Sequence, residues 1–239
     1  MNIQELFVDP NPHHHHLNPV IWDNNSMRPE VRSKLLKIAE HFVDYLNVPN
    51  LRLKDITLSG SSAGYNYSDY SDIDLHLIVS NVDSRDAELF TAKKNQYNSN
   101  YTLNIKDIPV ELYVQPAEQP HVSNGIYSVK RNKWLTEPKH EEPTVEPKAI
   151  KNKARNYSAK INSAMRSQDI DKCKGVMDEL KRLRKAGLET GGEQSVENLA
   201  FKLLRARGQI DKLRKYIDKL TSAKLSLEDQ YEDQRHSNT

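Results

Sequence analysis

Apolar residues recur along the chain with two different spacings, and each spacing predicts a different kind of element. Between residues 29 and 46 they fall three or four positions apart, which predicts a helix with one apolar face. Pro29 can begin this helix because a first helical position needs no N–H donor. Residues 56–58, 73–79 and 108–115 are short apolar runs, which predict strands. This order predicts an α+β fold in which helices flank a small mixed sheet.

Weaker signals lie between and after these strands. Asp83 or Ser84 can cap a second helix that ends near Tyr97. Residues 101–105 predict a short strand, and residues 126–134 begin as a strand and then become basic. The run at 108–115 follows a strand and a helix, so we expect it to lie beside the strand at 73–79.

Composition changes sharply beyond the last predicted strand. Residues 137–147 contain three prolines and four glutamates, which is typical of a linker. Three stretches of helical periodicity with short connections follow, and they predict a helical bundle. We expect its third helix to start at Ser195 and continue to about Leu220, and the polar tail after Leu225 to fray. The predicted domains are an N-terminal arm (1–28), an α+β domain (29–136), a linker (137–149) and a basic helical domain (150–239).

The composition favours a cytoplasmic protein. Of 239 residues, 36% are hydrophobic and 28% are charged, so a core is expected only in the apolar segments described above. Cys173 is the single cysteine, which rules out an intrachain disulfide and fits a reducing compartment. No apolar run reaches the ~20 residues that a membrane span requires. The N-terminus lacks the basic flank and apolar core of a secretory signal.

Charge is distributed unevenly along the chain. Residues 148–224 carry 20 Lys and Arg against 9 Asp and Glu, a balance of +11, whereas the rest carries 15 against 24. One interpretation is a nucleic acid held by phosphate contacts, with RNA as the partner considered. The other interpretations are an ordinary solvated helix face, or a contact to a triphosphate or an acidic protein. The densest basic stretch contains Arg205, Arg207, Lys212, Arg214 and Lys215.

Two carboxylates, one directly before and one within the strand predicted at residues 73–79, are unexpected in a half-buried strand. Alternate residues of a strand share a face, so Asp72, Asp74 and His76 lie together, opposite the apolar positions. Neighbouring carboxylates on a half-buried face repel each other and lose hydration. A bound divalent cation offsets this cost, and magnesium prefers carboxylate oxygens. We therefore interpret His76 as a neighbour of the site and not as a ligand.

Two further features complete a candidate site. Gly60, Ser61 and Ser62 follow the first strand, and such a turn lets backbone N–H groups and hydroxyls approach phosphate oxygens without a Cβ in the way. Glu111 is the conspicuous charge in the run at 108–115, where Pro109 favours an edge or irregular strand. Two divalent ions ~3.5–4 Å apart can be held by such a cluster of carboxylates, so the pattern predicts a metal-assisted phosphoryl-transfer site.

This ordered set of a Gly-Ser turn, an Asp-Ile-Asp strand and a later acidic residue in an apolar strand resembles the DNA polymerase β-type nucleotidyltransferase superfamily. The resemblance covers roughly residues 30–135 and implies a catalytic nucleotidyltransferase core. It also implies two Mg²⁺ ions, with Mn²⁺ as a substitute, although many members have aspartate where this chain has Glu111. The implied residues are Asp72, Asp74 and Glu111 for catalysis and metal binding, and Gly60, Ser61 and Ser62 for the nucleotide.

The resemblance implies transfer of a nucleoside monophosphate from an NTP, with ATP as the expected donor, to an acceptor hydroxyl with release of pyrophosphate. The acceptor stays open between an RNA, a protein side chain and a small molecule, and so does the oligomeric state. A cyclic-oligonucleotide synthase uses the same carboxylates and is an alternative. A nucleic-acid-binding module on a non-catalytic transferase scaffold is another, although the presence of all three carboxylates counts against it.

Two aromatic clusters have open interpretations. Residues 13–16 are four consecutive histidines, which favour a solvated loop over a specific metal site. Tyr65, Tyr67 and Tyr70 lie between the Gly-Ser turn and Asp72, where they can stack on a base or pack the loop.

Overall fold

The structure of the protein is a computed structural model that describes residues 9, 12–80, 86–121, 123–140 and 144–226. It divides the chain into two compact units. One unit, Pro12–Glu142, is called here the α+β unit, and the other, Pro143–Thr239 with Met1–Asn11, is called the helical unit.

The described residues of the α+β unit form eight strands and two long helices. The pattern predictions of a helix from Pro29 and of the three main strands are confirmed. The elements are β1 (Trp22–Asp23), β2 (Ser26–Met27), α1 (Pro29–Leu46), β3 (Arg52–Ser59), β4 (Ile73–Ser80), α2 (Asp86–Asn100), β5 (Asn104–Ile105), β6 (Ile108–Pro116), β7 (Ile126–Ser128) and β8 (Lys133–Thr136).

Six of these strands form one mixed sheet in the order β5-β6-β4-β3-β7-β8. The central strand β4 runs antiparallel to β3 and parallel to β6. The predicted α+β class with a mixed sheet and flanking helices is therefore confirmed, and β6 lies beside β4 as expected. Strands β4 and β6 are parallel because α2 carries the chain back to the same end of the sheet between them.

The core of the α+β unit lies on one face of this sheet. Alternate β4 residues, from Ile73 to Val79, are buried, whereas the residues between them are only partly buried, apart from the buried Ser80 at the end of the strand. Helix α1 buries its predicted apolar stripe, including Leu35 and Phe42, in the same core. The opposite face of β4 therefore carries Asp74 and the polar positions.

Residues before α1 belong to this core as well. Leu17, Ile21, Trp22 and Met27 are buried in it, and β1 pairs with β2 to turn the chain into α1. A Trp side chain buries a large apolar area, so this segment contributes substantially to the packing of the unit.

Three local features differ from the simple pattern. Pro109 is not on the outermost strand, because the two-residue β5 pairs with β6 at Ile108 and Pro109. The basic stretch after β7 is a hairpin to β8, not a continued strand. The proposed caps Asp83 and Ser84 lie outside the described residues, and α2 is described from Asp86 onward.

The helical unit has its own core, but its described residues form four α-helices, so the prediction of three was wrong. The expected third helix is interrupted at Gly208, which has φ +66° and ψ 7°. This left-handed conformation ends one helix and begins the next. The residues after Ser226 lie outside the described part. The helices are α3 (Pro147–Arg166), α4 (Ile170–Gly191), α5 (Val196–Ala206) and α6 (Gln209–Leu225).

Side-chain caps explain where two of these helices begin. The Asp169 carboxylate accepts hydrogen bonds from the Asp171 and Lys172 N–H groups at the start of α4. The Ser195 hydroxyl accepts from the Asn198 N–H at the start of α5, as predicted. None of the helices in the described part of the chain combines the length and apolar character that crossing a bilayer requires.

Candidate active site

Three carboxylates predicted from the sequence converge at one end of β4. Asp74 on β4 is the Cα partner of Glu111 on β6, and Asp72 immediately precedes β4. One carboxylate oxygen from each of Asp72, Asp74 and Glu111 lies within 4.8 Å of the others, and all three residues are partly buried. Parallel pairing in this register is what brings a residue 37 positions away in the sequence beside Asp74.

The Gly-Ser turn touches this carboxylate cluster directly. Ser59, the last residue of β3, is the Cα partner of Asp74, so Gly60 passes beside the Asp74 side chain. Gly60 has φ +73°, and a Cβ at this position would lie 2.2 Å from Oδ2 of Asp74. Glycine is therefore required here for both its backbone conformation and the close approach of the carboxylate.

Hydrogen bonds tie the loop between Gly60 and β4 to the core. The Ser62 hydroxyl donates to the Asp72 carbonyl oxygen at 2.6 Å, and the buried Trp22 indole N–H donates to the Ser62 carbonyl at 2.8 Å. The Ser61 hydroxyl donates to the Ser71 hydroxyl at 2.9 Å. Ser62 is fully buried, so its hydroxyl fixes Asp72 within the protein, whereas Gly60 and Ser61 are only partly buried.

An aromatic layer adjoins the carboxylates on the same face of the sheet. His76 and Tyr113 are Cα partners two residues beyond Asp74 and Glu111, and their rings stack with centroids 4.8 Å apart. His76 Nδ1 donates to the side-chain carbonyl of Gln115 at 3.1 Å. Burial, with help from His121, lowers the pKa of His76 to about 4. His76 is thus a neutral neighbour of the cluster at neutral pH, and the cluster itself is formed by carboxylates alone.

Two residues of this site were missed by the sequence reasoning. Lys94 on α2 places Nζ 3.6 Å from Oε1 of Glu111 and 4.1 Å from the centroid of the Tyr113 ring. Tyr113 hydrogen-bonds to Glu111 through its phenol group. The alternation of β6 placed Tyr113 on the face of Glu111 and could have identified it. The polar sequence of α2 gives no signal that Lys94 faces the sheet.

Two cations of the basic stretch after β7 and one of the loop tyrosines have partners within the protein. Arg131 pairs with the buried Asp55 at 3.2 Å, and Lys130 donates to the Leu53 carbonyl at 3.1 Å, so both cations contact the protein itself. Of the three loop tyrosines, Tyr70 is the exposed one at 51%. Tyr67 stacks on His14, with ring centroids 3.9 Å apart.

The histidine run is not a uniformly solvated loop. His13 and His14 are partly buried, and His14 also approaches the Tyr67 carbonyl oxygen at 2.9 Å. His13 and His15 contact the His140 ring edge-on and face-on, respectively. Within the described ranges, the acidic cluster of Asp72 and its partners is the group whose geometry suits a metal ion, and no histidine belongs to it.

The donor set decides which cation would fit this cluster. Three carboxylates supply hard oxygen ligands, which Mg²⁺ and Mn²⁺ prefer. The ligand oxygens, within 4.8 Å of one another, are close enough to share cations. The residues present therefore fit divalent metal ions, and Asp72, Asp74 and Glu111 would hold them.

No model of a known protein family matches the chain, and no curated protein sequence matches it either. Among solved structures, it is similar to the STING-associated CdnE c-di-GMP synthase from Capnocytophaga granulosa, with 13% sequence identity, 83% of each chain covered and a TM-score of 0.26. A TM-score of this size does not establish a common fold, so the interpretation of the site rests on the geometry of the chain itself.

Proposed function

We propose that the protein is a metal-dependent nucleotidyltransferase that moves a nucleoside monophosphate from an NTP, with ATP as the expected donor, to an acceptor hydroxyl. The observation that carries this proposal is the convergence of three carboxylates within 4.8 Å beside a turn that only glycine can form. Carboxylates on two paired strands repel each other, which costs stability. Their pairing in register therefore supports a role in binding cations.

The chain supplies three elements of the mechanism. Asp72, Asp74 and Glu111 would hold two divalent cations, which would stabilise charge on the attacking and leaving oxygens. The Gly60–Ser61 turn binds the triphosphate, and the Gly60 N–H and the Ser61 hydroxyl then exchange their present acceptors, the Ser123 and Ser71 hydroxyls, for phosphate oxygens. The acceptor hydroxyl gives its proton to the Glu111 carboxylate and attacks the α-phosphorus in line, so that a new P–O bond forms while the bond to pyrophosphate breaks.

Transfer assays with metal-site variants test this proposal. Purified protein is incubated with each α-labelled NTP and Mg²⁺, alone and with RNA, and label transfer and pyrophosphate release are measured. We expect Asp72→Asn and Asp74→Asn to lose activity by at least about 10³-fold. Asp69→Asn is the matched control, because Asp69 is an exposed carboxylate of the same loop outside the cluster.

The outcomes of these assays separate the candidate reactions. Equal activity, or equal inactivity, of wild type and the Asp72 and Asp74 variants in all mixtures would overturn the proposal. Label in a cyclic product from NTP-only mixtures would identify the cyclic-oligonucleotide alternative. Label on RNA would identify the acceptor.

We also propose that the acceptor is an RNA, and the charge of the helical unit supports this choice. Seven of its nine acidic residues between 148 and 224 form ion pairs, so most of the excess of cations remains for a polyanion. We expect the affinity of the full chain for RNA to fall with salt. The double variant Lys212→Glu/Lys215→Glu, at two exposed positions of α6, should reduce the affinity and the salt slope. A salt-independent affinity, or an unchanged one, would exclude this surface.

A further inference from the structure

A lysine side chain lies beside the carboxylate cluster, although its positive charge would repel the cations that such a cluster binds. The Lys94 side chain is only 19% exposed, and its Nζ is 3.6 Å from Oε1 of Glu111. Its neighbour Lys93 donates a hydrogen bond to the Leu46 carbonyl at the C-terminus of α1, which is a contact between helices. Lys94 instead places its ammonium group beside a residue that we assign to the metal site.

Tyr113 holds this lysine and Glu111 together. The Lys94 ammonium lies 4.1 Å from the centroid of the Tyr113 ring, a cation–π distance. The Tyr113 phenol also hydrogen-bonds to the Glu111 carboxylate. The ring is fixed in turn by stacking on His76. Glu111 is thus contacted both by an ammonium group and by a phenol donor.

A divalent cation bound to Glu111 would have to share this carboxylate with the Lys94 ammonium. The ammonium is close to the same oxygen, and two positive charges a few ångströms apart repel each other strongly in a partly buried site. A triphosphate brings several negative charges and offsets the repulsion. Lys94 would therefore oppose binding of a free cation more than binding of a cation that arrives with the nucleotide.

We propose that Lys94 is a positioning residue that acts as the counterion of Glu111 and weakens binding of free divalent cations to the carboxylate cluster. This inference rests on the proposed function, in which Asp72, Asp74 and Glu111 hold the cations. Its consequence is that metal and nucleotide enter the site together. Glu111 meanwhile keeps a defined position through Lys94 and Tyr113, without needing a resident metal ion.

The sign of the effect on metal affinity distinguishes a counterion from a structural contact. The full chain is titrated with Mn²⁺ in the absence of nucleotide, and free Mn²⁺ is measured by electron paramagnetic resonance. We expect Lys94→Met, which keeps the apolar stem and removes the charge, to bind Mn²⁺ about five- to tenfold more tightly than wild type. Loss of a merely structural contact would loosen Glu111 and weaken Mn²⁺ binding instead.

Two further variants complete the design. Lys34→Met removes the same charge from an exposed position of α1 and should change Mn²⁺ affinity less than about twofold, because solvent screens it. Lys94→Arg keeps the charge and should restore affinity close to that of wild type. With a non-hydrolysable NTP present, the difference between wild type and Lys94→Met should shrink.

Unchanged or weaker Mn²⁺ binding by folded Lys94→Met overturns the inference about Lys94. If wild type does not bind Mn²⁺ at a site that Asp74→Asn abolishes, both this inference and the proposed metal site are overturned. If wild type binds Mn²⁺ there, Lys94→Met binds it more tightly and no nucleotidyl transfer is found, the inference stands and the proposed reaction fails.

Discussion

Replacing Gly60 with alanine perturbs the candidate site at one defined contact, and the chain provides a matched control. Gly60 has φ +73° and ψ −160°, and Gly192, at the end of α4, has nearly the same conformation, φ 63° and ψ −155°. Alanine is strained by a similar amount at both positions, about 1–3 kcal/mol. An added Cβ meets Oδ2 of Asp74 at Gly60, whereas at Gly192 it meets nothing within 4 Å.

The size of the expected effect follows from this contact. The Cβ of Gly60→Ala would lie 2.2 Å from Oδ2 of Asp74, and ordinary contact begins at 3.4 Å, so the carboxylate or the turn must move by about 1.2 Å. A displacement of this size moves the Asp74 carboxylate away from its position beside the Asp72 and Glu111 carboxylates. Misplacement by about 1 Å in an active site can cost about 10²-fold in rate. We therefore expect Gly60→Ala to lose about 10²-fold in transfer activity and at least about tenfold in Mn²⁺ affinity.

Stability and metal binding are measured on both variants. Urea unfolding should show a similar loss of stability for Gly60→Ala and Gly192→Ala, and Mn²⁺ titration should show weakened binding for Gly60→Ala alone. Comparison at equal folded fraction removes the contribution of backbone strain. If Gly60→Ala binds Mn²⁺ within about twofold of Gly192→Ala, then Asp74 does not need the space that glycine leaves, and the argument from the close approach is wrong.

Two further predictions concern the residues around the carboxylates. Because burial lowers the pKa of His76 to about 4, below its ordinary value, the folded state binds fewer protons than the unfolded state below about pH 6.5. The free energy of unfolding, measured with urea, should therefore fall by about 2 kcal/mol from pH 7.5 to pH 5. His76→Gln should lose this part of the pH dependence. If the variant keeps the pH dependence of wild type, the lowered pKa of His76 is not its cause. Ser62→Ala removes the hydroxyl that donates to the Asp72 carbonyl and should lower stability by about 1–2 kcal/mol and weaken Mn²⁺ binding. The control Ser99→Ala removes an exposed hydrogen bond from the Ser99 hydroxyl to the Asn95 carbonyl and should lower stability by less than about 0.5 kcal/mol. Equal losses of stability in the two variants would show that burial adds nothing to the contribution of the Ser62 hydrogen bond.

Periodicity identified the elements with strong local signals. Helix α1 begins at Pro29 and ends at Leu46 as predicted, because its apolar stripe and its terminal residues agree. The break at Gly208 was missed, since one glycine within a continuous apolar pattern does not reveal by itself a left-handed conformation. Register at β5 and the hairpin from β7 to β8 were also missed, because short strands depend on their partners more than on their own residues.

The sequence by itself determined the chemistry of the candidate site. Alternation along β4 put Asp72 and Asp74 on a face that a core does not use, and the apolar run around Glu111 predicted a third carboxylate on a neighbouring strand. Residue type and local spacing suffice for such inferences because the backbone of a strand sets the direction of each side chain.

Only the tertiary structure decided what surrounds those carboxylates. Parallel pairing in one register placed Glu111 beside Asp74, and the path of the turn made Gly60 a close neighbour of that carboxylate. The packing of α2 against β6 brought Lys94 to Glu111, and the buried Trp22 reached the loop through Ser62. These contacts join residues that are distant along the chain, so they depend on how whole elements pack, which no local pattern specifies.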